Sequence, residues 1–335
     1  MTLSDITGET RTLLKWLVLI IAAIIVFSLL MKVKDAVFPA SPPPPKVGFG
    51  KLPAVEFPSN TVGKNLTYSI NTITGTLPGF AVSERVYKMR EEKPDLLSLS
   101  RAKEKARAIG FDKNPTQVSE NVYQWKDADG KILTMNILNF NFNLSSDYLL
   151  NKDIAVFNRR ADIAVSVAKD FLSRMNFLPS DLDDTKTTTD QYFVKNIKLM
   201  LSTSLSTTQV VRVNFFQKNF NNIMIYYPSP TPPLNFLIGS SLDPQILEAN
   251  FFYQKPSDIS STYPLKTAEK AFEDLKSGNA YISIQPANTN VSIKKVSLGY
   301  FMAEKNQNFL MPIIVFESDN FRAYVSAVTD EWVNR

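Results

Sequence analysis

Apolar positions along this chain fall into three patterns: one long unbroken run, short stretches alternating with period two, and three stripes at helical spacing. The long run comes first. Trp16 to Met31 contains no charged residue. With Leu13, Leu14 and a snorkelling Lys15 it approaches the ~20 residues that cross ~30 Å of hydrocarbon. Trp16 sits at the edge, where an indole favours the headgroup region. The expectation is a transmembrane helix over 13–31, with the lipid bilayer as its partner. A cleaved signal peptide would have an apolar core of ~7–15 residues and a small-x-small site. The nearest such site ends at Ala40 and has Phe38 two residues earlier, so an uncleaved anchor is expected. Arg11 and Lys15 flank one side and Lys32 and Lys34 the other, so the charge balance does not set direction. The signal-anchor layout places a short tail, 1–12, in the cytoplasm and the remainder outside the cell membrane.

Residues 32–60 read as a Pro-rich stalk. Pro42 to Pro45 favour extended polyproline II, a semi-rigid spacer of ~3.1 Å per residue. A ligand for a proline-binding domain is the functional alternative.

From 61 to 235 the pattern alternates between strands and helices. Asn65 to Leu77 and Phe80 to Met89 are strand-like. Leu99, Ala102, Ala106 and Ile109 make a helical stripe stopped by Gly110. Val122 to Trp125 and Lys131 to Phe142 predict a hairpin about Asp127–Gly130. The second stripe runs Ala161, Ala164, Val165, Ala168, Phe171, Leu172, Met175. Strands are expected again at 191–197, 210–216 and 222–227, before prolines 228, 230, 232 and 233 force a loop. An internal echo accompanies the stripes. Ala102-Lys103 precedes Gly110-Phe111 as Ala168-Lys169 precedes Asn176-Phe177, and the aromatic runs 122–125 and 191–194 follow. A helix on antiparallel strands, used twice, would produce it.

Residues 236–335 are the most regular. Leu265, Ala268, Ala271, Phe272 and Leu275 form the third stripe, with Pro264 near its start and Gly278 at its end. Strands are expected from Val291 to Met302, with a bulge at Lys294-Lys295, then at 309–316 and 321–328. Pro312 points to an edge or bulged position. The expected fold is therefore α+β, with antiparallel sheets packed by helices after one N-terminal span.

Composition removes chemistry rather than adding it. There is no Cys and no His, which excludes disulfides, thiolate nucleophiles, Ser-His-Asp triads, haem and the usual zinc sites. A hard-cation site of carboxylates and carbonyls stays open. The net charge of +5 is scattered; Arg159-Arg160 and Lys294-Lys295 are too short for a nucleic-acid face, so no such partner is expected. The 23 Phe and 12 Tyr favour strands.

Three short motifs sit in the chain. Ser100-x-x-Lys103, Ser318-Asp319-Asn320 and Lys266-Thr267-Ala268 approach the signatures of penicillin-binding enzymes. Their order is wrong, and Ala268 replaces the glycine. The acidic groups Asp181, Asp183, Asp184 and Glu91, Glu92, Asp95 invite a carboxylate pair or Ca²⁺, but they read as solvated loops. No catalytic, cofactor-binding or metal-ligating residue is named, no cofactor is expected, and the chain reads as not an enzyme.

One resemblance is carried by Glu273–Gly278, Tyr281–Ser283, Leu298-Gly299-Tyr300, Phe309–Phe316 with Pro312, and Ala323–Val325. Over about 265–328 these resemble the YycH/YycI-type membrane-anchored regulators, whose domains are PepSY-like. The resemblance implies a single-pass, extracytoplasmic, non-enzymatic protein of the cell envelope. Its partner would be another membrane protein, such as a sensor kinase. The rivals are a cell-wall binding or assembly module and a carboxylate-dependent hydrolase.

Overall fold

The structure, a computed structural model, describes residues 16–28, 44–59, 66–93, 95–150, 155–157, 160–240 and 244–334. It forms two compact units, Met1–Pro44 and Pro45–Arg335. In the first, helix α1 covers 16–28 and every residue of it is exposed. At ~1.5 Å per residue it is roughly 20 Å long, and no described helix is long and apolar enough to cross a membrane. Both ends of the expected 13–31 span, the tail 1–12 and the prolines 42 and 43 lie outside the described residues.

The second unit is α+β with mostly antiparallel sheets. Its larger sheet has nine strands. A meander of β3 (Thr116–Ser119), β4 (Val122–Lys126), β5 (Ile132–Asn136) and β6 (Phe142–Ser145) follows helix α2 (Ser98–Arg107). After helix α3 (Ala161–Arg174) come β7 (Thr188–Lys195), β8 (Lys198–Leu201), β9 (Val210–Asn214), β11 (Leu234–Ser240) and β12 (Pro244–Phe251). The spatial order is β3-β4-β5-β6-β12-β11-β9-β7-β8. From each edge to the centre, each helix is followed by four strands in the same succession. The second half adds β8 outside, and its chain leaves for the other sheet between β9 and β11. The halves meet where β6 pairs antiparallel with β12.

Both helices lie on one face of this sheet. Ala102 and Ala106 of α2, and Ala164, Ala168, Phe171 and Leu172 of α3, pack on Trp125, Leu133, Phe142, Val211, Phe236 and Phe251. Alanine at the contact lets a helix approach the strands closely. The helix stops are alike in detail. Gly110 and Asn176 take the left-handed conformation, at φ +97° and +56°. The next residue donates back five positions, Phe111 to Ala106 at 3.0 Å and Phe177 to Leu172 at 2.8 Å. The aromatic runs aligned in the sequence echo lie in β4 and β7, each second from its edge of the sheet, although β4 is the second strand after its helix and β7 the first.

The smaller sheet has seven strands. Its main path is β10 (Met224–Tyr226), β16 (Lys295–Phe301), β17 (Phe309–Ser318), β18 (Phe321–Ser326) and β14 (Tyr281–Ile284). β2 (Ser83–Met89) bridges β17 to β13 (Pro256–Pro264). A separate parallel ribbon joins β1 (Thr67–Ile70) to β15 (Asn290–Ile293). Helix α4 (Ala268–Lys276) and this ribbon cover one face, on Ile314, Phe316 and Ala323. Val55 and Phe57 cover part of the other, on Phe301, Ile313, Val315 and Tyr324.

Several expectations shift. The strand expected over 65–77 is β1 alone, because a turn follows at 73–76. The segment 131–142 turns back on itself, with Phe140 at φ +57°, and so yields β5 and β6. Pro264 ends β13; the helix begins at Thr267, whose side chain accepts from the Lys270 N–H at 3.2 Å. Lys294 marks a change of partner rather than a bulge: β15 before it pairs with β1, and β16 after it pairs with β10 and β17. Pro312 lies inside a central strand. It sits where β17 passes from β2, paired at 309–310, to β18, paired from 313. A missing N–H is tolerated at such a gap. Residues 46–57, expected in the stalk, pack on the body: Leu52 is fully buried and bridges Val333, and the Phe57 ring stacks on Tyr281.

Candidate functional site

The walls of a cleft beside Tyr253 come from four separate segments. Arg90–Glu92 follow β2, Asn136 and Asn139 end β5, Tyr253–Lys255 follow β12, and Asn306–Asn308 form the turn before β17. The cleft between the two sheets holds about 360 Å³. Six of its lining residues are carboxamides: Asn136, Asn139, Gln254, Asn306, Gln307 and Asn308. A carboxamide both donates and accepts, so these six suit polar, uncharged groups, while Arg90, Lys255, Glu91 and Glu92 add charges of both signs to the lining.

Two of the amides hold the cleft open rather than face it. Gln307 Nε2 donates to the Phe301 and Phe309 carbonyls at 3.1 and 3.0 Å, and its Oε1 accepts from the Ala303 N–H at 2.7 Å. Gln254 Nε2 donates to the Ala303 and Lys305 carbonyls, while its Oε1 accepts from the Gln307 N–H at 3.1 Å. Asn139 Nδ2 reaches Asn306 Oδ1 across the cleft at 3.2 Å. These bonds fix one sheet against the other. Beneath them, the Tyr253 hydroxyl donates to Asp181 at 2.8 Å, and Gln217 Nε2 donates to Asp181 and to the Gln254 carbonyl at 3.1 and 3.2 Å. Burial, reinforced by the Asp181 charge, pushes the Tyr253 phenol far up, so it stays a donor at all ordinary pH.

The acidic groups seen in the sequence disperse. Asp181 serves Tyr253 and Gln217. Asp183 bonds Thr185, whose hydroxyl holds its carboxyl below the usual range, and Asp184 pairs with Lys169 at 2.6 Å. Asp95 bonds Arg101 at 2.7 Å, leaving Glu91 and Glu92 on one rim of the cleft. No acid faces them from another wall among the described lining residues. No cluster of three or more acids able to hold a metal ion occurs among the described residues.

The three enzyme-like motifs also separate. Lys103 of α2 bonds Asn114, Asp319 pairs with Lys294 in a turn, and Lys266 is buried at the start of α4. Lys266 lies between two carboxylates, 2.7 Å from Asp274 and 2.8 Å from Asp330, in a depression of about 590 Å³. An ammonium clamped this way bridges both acids and ties the C-terminal turn to α4, with Lys270, 3.8 Å from Asp274, supplying a second positive charge. It is held as a structural pin, not as a free base.

Sequence reasoning named none of the cleft amides. They come from segments far apart in the chain, each an ordinary turn or strand end, and only folding joins them. Fold and cleft together define a class: a two-sheet α+β body with a polar, amide-lined cleft. Neither protein-family models nor curated proteins match the chain.

Proposed function

We propose that this chain is a non-enzymatic interaction protein of the cell envelope, anchored in the membrane by 13–31 with its second unit outside. The observation that carries the reading is the chemistry of the cleft. Its polar wall is made mostly of carboxamides, and the two acids on its rim have no partner acid opposite. Such a site holds a ligand by hydrogen bonds and gives hydrolysis no acid and base pair to work with. The anchor is supported by α1. Its large apolar side chains are half to two-thirds exposed, from Ile21 at 49% to Phe27 at 64%, and they need apolar surroundings.

The partner in this reading is another membrane protein, and the resemblance over 265–328 extends it to a sensor kinase. The cell-wall module that grips by an aromatic groove fits less well. Outside α1, the exposed large apolar residues among those described are aliphatic, and the rings lie buried or half-buried.

Two measurements test the reading. The full chain is expected to resist alkaline extraction from membranes and to be cut by protease added outside intact cells. A variant lacking 13–31 should be released. Extraction of the full chain would refute the anchor, and protection of its second unit in intact cells would refute its placement outside. Crosslinking in intact cells should capture a membrane protein; a set of crosslinks free of membrane proteins counts against the regulatory reading.

A further inference from the structure

The larger sheet has a second face, opposite its helices, and one transverse row on that face is unusual. Registered partners link Thr116 to Gln124, Gln124 to Thr134, and Thr134 to Asn143. The row continues from Asn143 to Asn250, Asn250 to Asn235, Asn235 to Asn214, and Asn214 to Thr188. It crosses eight adjacent strands with amides and hydroxyls only. Side chains alternate along a strand, so this row faces away from α2 and α3, whose packing uses Trp125, Leu133, Leu144, Ala249, Phe236 and Val213.

Two further observations mark the row. Asparagine is depleted in strands, yet it occupies four neighbouring central ones, β6, β12, β11 and β9. A run against propensity in the middle of a sheet is where function is expected to override stability. The row also passes through the junction of the two halves, with Asn143 and Asn250 on either side and threonine at both ends. Its outer members are engaged. Gln124 donates to Thr134, Asn235 to the Pro232 carbonyl, and Asn214 to Thr188 and Asp190. The two central carboxamides, Asn143 and Asn250, are exposed and make no side-chain hydrogen bond to a described residue.

We propose that this row is a docking surface for a linear, neutral polysaccharide. The argument is complementarity of charge and spacing. The row itself carries no charge, and the charges beside it on this face, Glu248 next to Asn250 and the registered pair Asp190 and Arg212, sum to no positive excess, which suits a neutral chain better than a nucleic acid or an acidic polymer. Neighbouring strands are ~4.7–4.9 Å apart, about one pyranose, so Asn143 and Asn250 offer a free carboxamide to each of two adjacent sugars, while Asn214, 4% exposed, stays in the sheet. A sugar chain presents hydroxyls that both donate and accept, as the free carboxamides do. This surface is separate from the cleft and does not depend on the membrane reading.

The test uses the full chain in detergent, incubated with insoluble cellulose and with chitin. Wild-type protein is expected to be retained by at least one of the two polymers. The Asn143→Val, Asn250→Val variant keeps the strands, since valine favours them, and its retention should fall about tenfold or more with unchanged circular dichroism. Retention by neither polymer overturns the proposal. So does retention equal in wild type and a folded variant. If the double variant misfolds, Asn250→Thr alone serves, with the same outcomes read at a several-fold loss.

Discussion

The two sheets of the second unit bury their faces differently. In the smaller one, β17 is buried from Leu310 to Phe316, with alternate residues facing α4 and the 55–57 segment. A strand covered on both sides reads as a continuous apolar run, and Phe309–Phe316 does. In the larger sheet, β5, β6 and β12 bury the residues that meet the helices and leave Thr134, Asn143 and Asn250 toward water. The smaller sheet is thus covered on both faces, whereas the larger one leaves only part of its second face toward water, with Tyr148 and Leu149 packed on Val210, Leu237 and Leu247 elsewhere on it. Substitutions should divide along the same line.

The largest effect is expected at Lys266, the pin beside the smaller sheet. Lys266→Met leaves Asp274, which is 7% exposed, without its nearest cation. Removing one member of a buried ion pair costs about 3–5 kcal/mol. Adding Asp274→Leu should recover most of the loss, because two apolar side chains can replace the pair; Asp330 can turn to solvent. Urea unfolding of the three proteins measures this. A single variant as stable as wild type would show that the lysine holds nothing.

Gly299 comes next. A methyl group there would lie 2.5 and 2.6 Å from two ring atoms of Tyr226 and 3.3 Å from Val315. Tyr226 is itself buried, at 3% exposure, so its ring cannot swing away. Gly299→Ala should cost about 1–3 kcal/mol by overpacking. In the larger sheet Gly239 is confined as closely, 2.5 Å from the buried Leu247 side chain, in the part of the second face that is packed.

Alkali should test ring burial by a smaller margin, and in both sheets, since burial also raises the phenols of Tyr148, Tyr192 and Tyr253 beside the larger one. Burial raises the phenols of Tyr226, Tyr227, Tyr300 and Tyr324 in or against the smaller sheet, that of Tyr324 to about 12. An unfolded tyrosine ionises near 10.0. Between these values the unfolded chain has lost a proton that the folded one keeps, so stability is intact below pH 10.0 and falls as pH rises toward 12. Native protein titrated by tyrosinate absorbance should ionise late, and then abruptly as it unfolds. Early, gradual ionisation of these four would contradict their burial.

Much of this contrast was open to sequence reading where the physics is local. The three helical stripes and the stops at Gly110 and Gly278 depend on spacing and left-handed caps, and the structure has them, together with a third such stop at Asn176 that the spacing did not announce. The strands β11, β12 and β13 escaped notice. Their residues, such as Leu237, Ile246 and Tyr263, are paired through registers set by distant strands, and Pro244, Pro256 and Pro264 at their ends look like loop signals. The cleft was illegible for the same reason, since Asn136 and Asn306 are 170 positions apart and signal nothing singly. The amide row was equally hidden. Asn143 and Asn250 become neighbours only through the pairing of β6 with β12.

The smallest effect on stability should come from that row, and its smallness is informative. Asn250 is exposed and its carboxamide makes no described bond, so Asn250→Val removes no interaction from the fold. Surface changes of this kind usually stay within about 0.5 kcal/mol. Here the sign should be favourable, because valine suits a central strand better than asparagine does. Thermal unfolding of Asn250→Val beside Gly299→Ala would read the two sheets against each other. A midpoint at or above wild type for the first, and several degrees below for the second, is the expected result. A loss at Asn250 comparable to that at Gly299 would mean that this part of the second face is packed against something too, and the division between the covered sheet and the partly open one would fail. A gain would show that the chain carries asparagine there at the expense of its own stability, as a surface kept for a ligand would.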